Sequence, residues 1–304
     1  MIKSIKYAAF ILLVILMFCF SGCANNKNKS GSGDEQVLAG FENLLRGANE
    51  KSVLSFIDEN IGNVSRQTAD KLVYGYEKLQ KDALNDLEEQ FSGSKEEKWT
   101  ITIPQGLQKE FGYSFSMDKI DSIKDPQLKE ILQEVRNSGY LARTAEGMYF
   151  PVINYDFYKK YSGYLTDQTK DYYSIMAEGS NQPAVDDGCL KITPDDILER
   201  MEAQQIYINK YPGSPKLRDI KDLYITYVSF YLCGTDNTPA FSYDTKVLNS
   251  GFKESYQNYR LTDTVFGREF IFYFETLKKE EYKLTDKISS ARNKLIENIK
   301  QSLE

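Results

Sequence analysis

The sequence contains no histidine among its 304 residues. That absence removes Ser-His-Asp and Cys-His catalysis and every histidine-ligated zinc or copper site. Carboxylate chemistry, serine–lysine pairs and oxygen-ligated cations such as calcium are what remain open. The chain also lacks a P-loop, a GxGxxG turn after a strand and a GxSxG elbow, so no nucleotide cofactor is expected, and no other cofactor or metal. It has no run of five or more basic residues, which argues against a nucleic-acid partner because such binding rests on neutralising phosphates.

What the sequence has is concentrated at its start. Lys3 and Lys6 give a short positive segment, and Ala8 to Phe20 (AAFILLVILMFCF) is an unbroken apolar run. That run is shorter than the roughly 20 residues a stable membrane span needs. Ser21-Gly22-Cys23 then places two small residues directly before a cysteine. The three parts resemble the signal peptide and lipobox of bacterial lipoproteins, with Phe20 standing where that family most often has leucine. The resemblance implies that residues 1–22 are removed, that Cys23 becomes a lipidated N-terminus, and that the protein sits at the extracytoplasmic face of the cell membrane. Two or more acyl chains on one residue suffice for stable anchoring. The membrane is then a partner through this lipid.

Residues 23–36 follow as a polar stretch, ANNKNKSGSGDEQ after the cysteine, without a large apolar residue. Such a segment cannot bury enough surface to offset its ordering entropy, and a flexible tether is expected. The first 22 residues carry two lysines and no acid, so the remaining 282 hold 36 basic against 44 acidic residues, a net charge of −8. A domain of that sign is not held to anionic lipid or wall polymer by bulk electrostatics. With Cys19 in the signal and Cys23 lipidated, only Cys189 and Cys233 are left. They are either a disulfide, closing a loop of about 45 residues and contributing roughly 3–4 kcal/mol, or two buried free thiols.

Apolar spacing makes the rest mainly α, a helical bundle-like α+β fold with a small β-hairpin. Residues 37–94 form an N-terminal helical segment: Val37, Leu38, Phe41, Leu44 and Leu45, then Val53, Leu54, Ile57 and Ile61, recur at helical intervals. Ser65 is the expected N-cap of a long helix to Phe91, stopped by Ser92-Gly93-Ser94. Residues 95–304 make the larger helical part. Within it, WTITIP (residues 99–104) has the alternation of a short strand, and Asp125-Pro126 opens a helix. Residues 140–154, with Gly147 in the turn, read as a hairpin. The chain is expected to be helical over residues 155–177 and polar loop over 178–188. Thr193-Pro194 starts a helix that Tyr211-Pro212-Gly213-Ser214-Pro215 ends, and a second helix stops at Gly234. An irregular stretch, 235–245, precedes two closing helices over 248–276 and 279–302, the first of them broken near 262–264.

Ala203, Tyr207, Tyr211, Pro212 and Ser214 at their spacing resemble the turn of a tetratricopeptide-type helix pair, but no convincing second copy occurs at a period near 34 residues. The wider pattern, from EGMYFPVINY through YINKYPGSP to the terminal helices, resembles lipoproteins of low-GC Gram-positive bacteria to which no activity is attached.

Tyr155, Tyr158, Tyr161 and Tyr164 recur every three residues. On a helix they form an aromatic ridge that is either core or, if exposed, a face for stacking on sugar rings or gripping a peptide. The 235–245 loop, with Asn237 and Phe241, is the other candidate lining of a ligand surface. Asp186, Asp187, Asp195, Asp196 and Glu199 gather around Cys189 without the spacing of a calcium loop. Three Ser-x-x-Lys pairs (92/95, 116/119, 250/253) occur without a Lys-Thr-Gly element, and no catalytic residue is assigned. The composite expectation is a lipid-anchored binding or adaptor protein of the cell envelope, with an envelope protein, a peptide or a glycan as partner. The alternatives are a carboxylate-based hydrolase of wall glycan, which requires two acids flanking a cleft, and a solute-binding lipoprotein of two α/β lobes.

Overall fold

A computed structural model describes residues 29–47, 50–92, 102–145, 147–261, 264 and 266–304. The expected signal segment, Cys23, Ser94 and the first half of the WTITIP stretch (residues 99–101) lie outside them. The described chain is mainly helical with a small antiparallel hairpin. Among the described residues no helix is long and apolar enough to cross a membrane.

The first three helices are α1 (Lys29–Arg46), α2 (Glu50–Asn60) and α3 (Arg66–Ser92). Ser65 caps α3, its Oγ accepting from the Thr68 amide at 3.3 Å. The expected stripe points inward, with Ala69, Leu72, Val73, Tyr76 and Phe91 buried. One expectation needs correction here. The tether was placed over residues 23–36, yet α1 begins at Lys29. The cause is tertiary: the Asp34 carboxylate receives hydrogen bonds from the Ser65 amide (3.3 Å) and hydroxyl (2.5 Å) and from Thr68 (3.0 Å). These bonds dock α1 onto the capped start of α3, and the helix that Val37 to Leu45 favours extends back through a weak helix-forming sequence.

A second correction falls at residues 99–104, expected as a strand. Thr102 is an N-cap and α4 runs Ile103–Phe111, with Thr102 and Gln105 closing a capping box and Pro104 in the first turn. The T-x-x-Q box and the early proline outweigh the β-branched alternation. A 3₁₀ turn (Met117–Ser122) leads to α5 (Pro126–Asn137), whose N-cap Asp125 accepts from the Gln127 and Leu128 amides.

Strands β1 (Tyr140–Ala145) and β2 (Met148–Ile153) pair antiparallel, Tyr140 opposite Ile153 and Ala145 opposite Met148, around Gly147 at φ +74°. One face, with Tyr140, Ala142, Tyr149 and Ile153, is buried against α3. A ten-residue 3₁₀ segment, Tyr155–Tyr164, and α6 (Asp167–Asn181) follow, so the stretch expected to be helical over 155–177 is helical in two elements. Within the expected 178–188 loop, β3 (Val185–Asp186) pairs with β4 (Cys189–Leu190) across an Asp187-Gly188 turn. Both turn residues have positive φ (49° and 66°), as a two-residue hairpin turn requires.

The remaining helices are α7 (Pro194–Lys210), α8 (Leu217–Cys233), α9 (Ser250–Gln257), α10 (Gly267–Lys279) and α11 (Asp286–Leu303). Helices α7 and α8 form an antiparallel pair joined at the Tyr211–Pro215 turn, where the Tyr207 and Ser214 hydroxyls bond at 2.7 Å. Buried side chains fall into two cores. The first takes Phe41 through Ala177 together with Tyr207 and Ile220, and the second takes Ala184 through Leu303. Helices α7 and α8 stand between them and give a face to each. The division expected near residue 94 is therefore not a division of the core: α1–α3 share their interior with the hairpin and with residues 155–177.

Candidate functional site

The tyrosine ridge is core, not surface. Tyr155, Tyr158 and Tyr161 are buried, and only Tyr164, at the end of the segment, is exposed. The reason lies in the element they occupy. A 3₁₀ helix has three residues per turn, so side chains at i and i+3 eclipse one another and the ridge does not rotate. All three rings face inward. Tyr158 stacks on Tyr173 with centroids 4.1 Å apart and 2° between planes, and its hydroxyl donates to Gln80 Oε1 at 2.5 Å. Tyr161 donates to Asp58 at 2.6 Å. Their role as a ligand surface is withdrawn.

Beneath the ridge lies a carboxylate with no exposed side-chain surface. Glu77 Oε1 accepts from the Tyr172 hydroxyl (2.6 Å) and pairs with Lys81 (2.8 Å); Oε2 pairs with Lys216 (2.7 Å) and accepts from Tyr173 (3.3 Å). Asp219 backs both ammonium groups, 3.1 Å from Lys81 and 3.9 Å from Lys216. Lys216 also sits over the rings of Tyr74 and Tyr172 at about 5 Å. Burial pulls the Lys81 ammonium down, but the charge of Glu77 and the bonds to both carboxylates outweigh it and hold its pKa above the ordinary value. Burial first, and then the charge of Glu77, pushes the Tyr172 phenol far above its usual range. Every polar atom named here has a partner, so the cluster cross-links α3, α6 and α8 rather than offering a place for a ligand.

The 235–245 loop gives a different result. Gly234, at φ +73°, lets the chain leave α8 in a tight reversal: a Cβ there would run into the Thr238 carbonyl and the Ala240 amide. The Ala240 amide donates back to the Cys233 carbonyl at 2.9 Å, and Thr235 and Thr238 bond each other's backbone. Phe241 is buried and pairs with Leu248, while Asn237 is exposed. Asn237 is nonetheless engaged: its amide donates to the Gly188 carbonyl at 3.0 Å and its Nδ2 to the Asp187 carbonyl at 2.8 Å. It ties the loop to the β3–β4 turn.

Between this loop and α11 opens a pocket of about 270 Å³. Cys233, Thr235, Phe241, Lys246 and Arg292 line it, with Tyr243 exposed at its edge. The guanidinium of Arg292 lies 5.9 Å from the centre of the Phe241 ring. Its Nε is buried and has no hydrogen-bond partner among the described residues, and the same holds for Thr235 Oγ1. An unpaired buried polar group costs about 1–3 kcal/mol, and native interiors leave few of them. Burial pushes the Cys233 thiol up, and the charge of Arg292 acts against that. The lining carries two cations, Arg292 and Lys246, against one acid, Asp236, and with the Thr235 hydroxyl and an aromatic wall this balance suits the pocket to an anionic group.

The remaining candidates separate. Cys189 and Cys233 are both half-buried and are not joined to each other in this structure. Hydrogen bonds from Asn237 to Gly188 and from Leu190 to Thr238 (3.1 Å) already join their two segments. Among the described residues no group of three or more cysteine or acidic side chains is placed to hold a metal ion. Asp196 closes the capping box with Thr193, Asp186 pairs with Lys191 at 3.8 Å, and Glu199 pairs with Arg260 at 3.2 Å. Of the Ser-x-x-Lys pairs, Ser116 bonds Asp118 while Lys119 donates to the Ser114 carbonyl at 2.7 Å. Lys253 stands over the Tyr282 ring at 4.3 Å, and the third pair ends at Lys95, outside the described residues. Glu50 is the carboxyl that burial holds above its ordinary value, and the Tyr140 hydroxyl donates to it at 2.6 Å.

No protein-family model, no curated protein and no solved structure matches this chain. The site must be read from its own residues. Phe241 was approached through the loop that carries it. Thr235 lies in that same loop, but Arg292 does not, and nothing local marks one arginine on an amphipathic helix as the one whose Nε is buried without a hydrogen-bond partner.

Proposed function

We propose that the chain is a lipid-anchored, extracytoplasmic binding protein of the cell envelope, and that the Arg292 pocket takes an anionic group of its ligand. Arg292 and Thr235, which line a pocket walled by Phe241 and each hold a buried polar atom without a hydrogen-bond partner among the described residues, carry the binding half of this reading. The anchoring half rests on the residues from Lys3 to Cys23. Binding is favoured over wall-glycan hydrolysis because, among the described residues, the one carboxyl held up by burial, Glu50, is engaged by the core residue Tyr140. A two-lobed solute-binding fold is disfavoured because the strands among the described residues pair only as two local hairpins.

Two measurements test the two halves. Mass spectrometry of the protein extracted from membranes should find a diacylglyceryl-modified Cys23 as the N-terminus, and Cys23→Ala should release the protein from the membrane fraction. An unmodified, uncleaved N-terminus refutes anchoring. For the pocket, acetate and benzoate are titrated against the full chain in detergent. Saturation at a hundredfold excess over Kd stabilises by about 2.7 kcal/mol, a rise of roughly 4–5 °C in Tm for a chain of this size. Arg292→Gln should abolish the rise; an equal rise in the variant, or none in the native protein, refutes the site.

A further inference from the structure

Gln205 lies on α7 with only 3% of its surface exposed, and neither its Oε1 nor its Nε2 has a hydrogen-bond partner among the described residues. A buried carboxamide offers one acceptor and two donors, and leaving both ends unpaired is costly in a packed interior. Gln205 is among the residues that line a pocket of about 350 Å³ between α7, α8 and the end of α11, within the size range of ligand sites, and its carboxamide atoms are buried in the wall of that pocket.

The other walls narrow the chemistry. Tyr224 and Phe266, stacked with centroids 6.0 Å apart, and Leu217 and Leu303 supply an apolar surface. Lys221 shares the lining, is half-buried, and forms no ion pair or hydrogen bond among the described residues. A site with a free donor–acceptor pair, an aromatic wall and one unpaired cation asks for three complementary features in one ligand. An extended peptide supplies them. Along a strand the N–H and C=O of a single residue point to the same side, which is how neighbouring strands exchange two hydrogen bonds. A side-chain carboxamide can exchange the same two bonds. The residue's side chain then meets the aromatic wall, and a terminal carboxylate meets Lys221.

We propose that the Gln205 pocket binds the C-terminal end of an extended peptide bearing an apolar residue. Gln205 pairs with the backbone N–H and C=O of that residue, and Lys221 takes the terminal carboxylate. This site is separate from the Arg292 pocket and does not depend on it.

The test uses an N-acetylated tetrapeptide ending in leucine with a free carboxylate, titrated calorimetrically into the full chain in detergent. Saturable binding is expected, weakened tenfold or more by Gln205→Leu. That variant replaces an unpaired polar group with an apolar one of similar size, so its Tm should hold or rise, which separates lost recognition from lost folding. Lys221→Met should remove the preference for the carboxylate peptide over its C-terminal amide, and Arg292→Gln should leave binding unchanged. The proposal is overturned if the native protein shows no saturable binding up to millimolar peptide, if Gln205→Leu binds within twofold of native, or if native binds acid and amide alike.

Discussion

Glu77→Gln is the substitution whose cost the structure defines best. The variant keeps the size of the side chain and removes its charge, leaving Lys81 and Lys216 without the carboxylate that both contact within 3 Å. Lys216 is the more exposed to harm, because only 13% of its side chain reaches solvent. Breaking a buried ion pair from one side typically costs about 3–5 kcal/mol. The lower end applies here, since the Lys81 side chain is 41% exposed and already contacts Asp219 at 3.1 Å. A loss of about 3 kcal/mol lowers Tm by roughly 5 °C in a chain of this size. Denaturant unfolding of Glu77→Gln, Lys216→Met and the double variant measures the coupling. If the network is as described, the double variant is less destabilised than the two singles summed, by at least about 1 kcal/mol. A cost below about 1 kcal/mol for Glu77→Gln, or additivity within about 0.5 kcal/mol, would refute the view that this cluster holds α3, α6 and α8 together.

Glu50→Gln tests the opposite sign. Burial raises the folded pKa of Glu50 above its unfolded value. Its stabilising balance is thus intact below the ordinary carboxylate range and is lost as pH rises through the folded pKa. The glutamine variant still accepts from Tyr140, so it should be the more stable protein at pH 7 and equal to native near pH 3; thermal melts at the two values decide, and a variant less stable at pH 7 contradicts the assignment. Gly139→Ala should cost about 1–3 kcal/mol, because Gly139 sits at φ +78° and an added Cβ would lie 2.8 Å from Gln80 Nε2; a change under about 0.5 kcal/mol in chemical unfolding would show that the junction relaxes.

How far the residues alone reach is clear at the helix ends. Ser65, Asp125-Pro126 and Thr193-Pro194 each start a helix where the chain order says one should start, because capping is satisfied by atoms two or three residues away. The hairpin at 140–153 and the stop at Gly234 are local for the same reason, since a positive φ is a property of one residue. The same logic holds at Thr102, where the capping box prevails over β-branched alternation, and at Asp187-Gly188, where a local turn makes a hairpin within a polar stretch.

What the sequence by itself determined is a mainly helical chain with its caps, its turns and its one substantial hairpin, all set by interactions within a few residues. Which way a residue faces, and whether it finds a partner, was decided only by the tertiary structure. Spacing by three fitted a ridge that is either wall or surface, and the packing of the 155–164 segment on α3 and α6 made it wall. Glu77 reads as one more charge on a long helix until Lys216, 139 positions on, is brought to it at 2.7 Å. Arg292, Gln205 and Lys221 are distinguished from other polar side chains by what does not reach them. Partnering is a sum over the whole fold, and no window of sequence contains it.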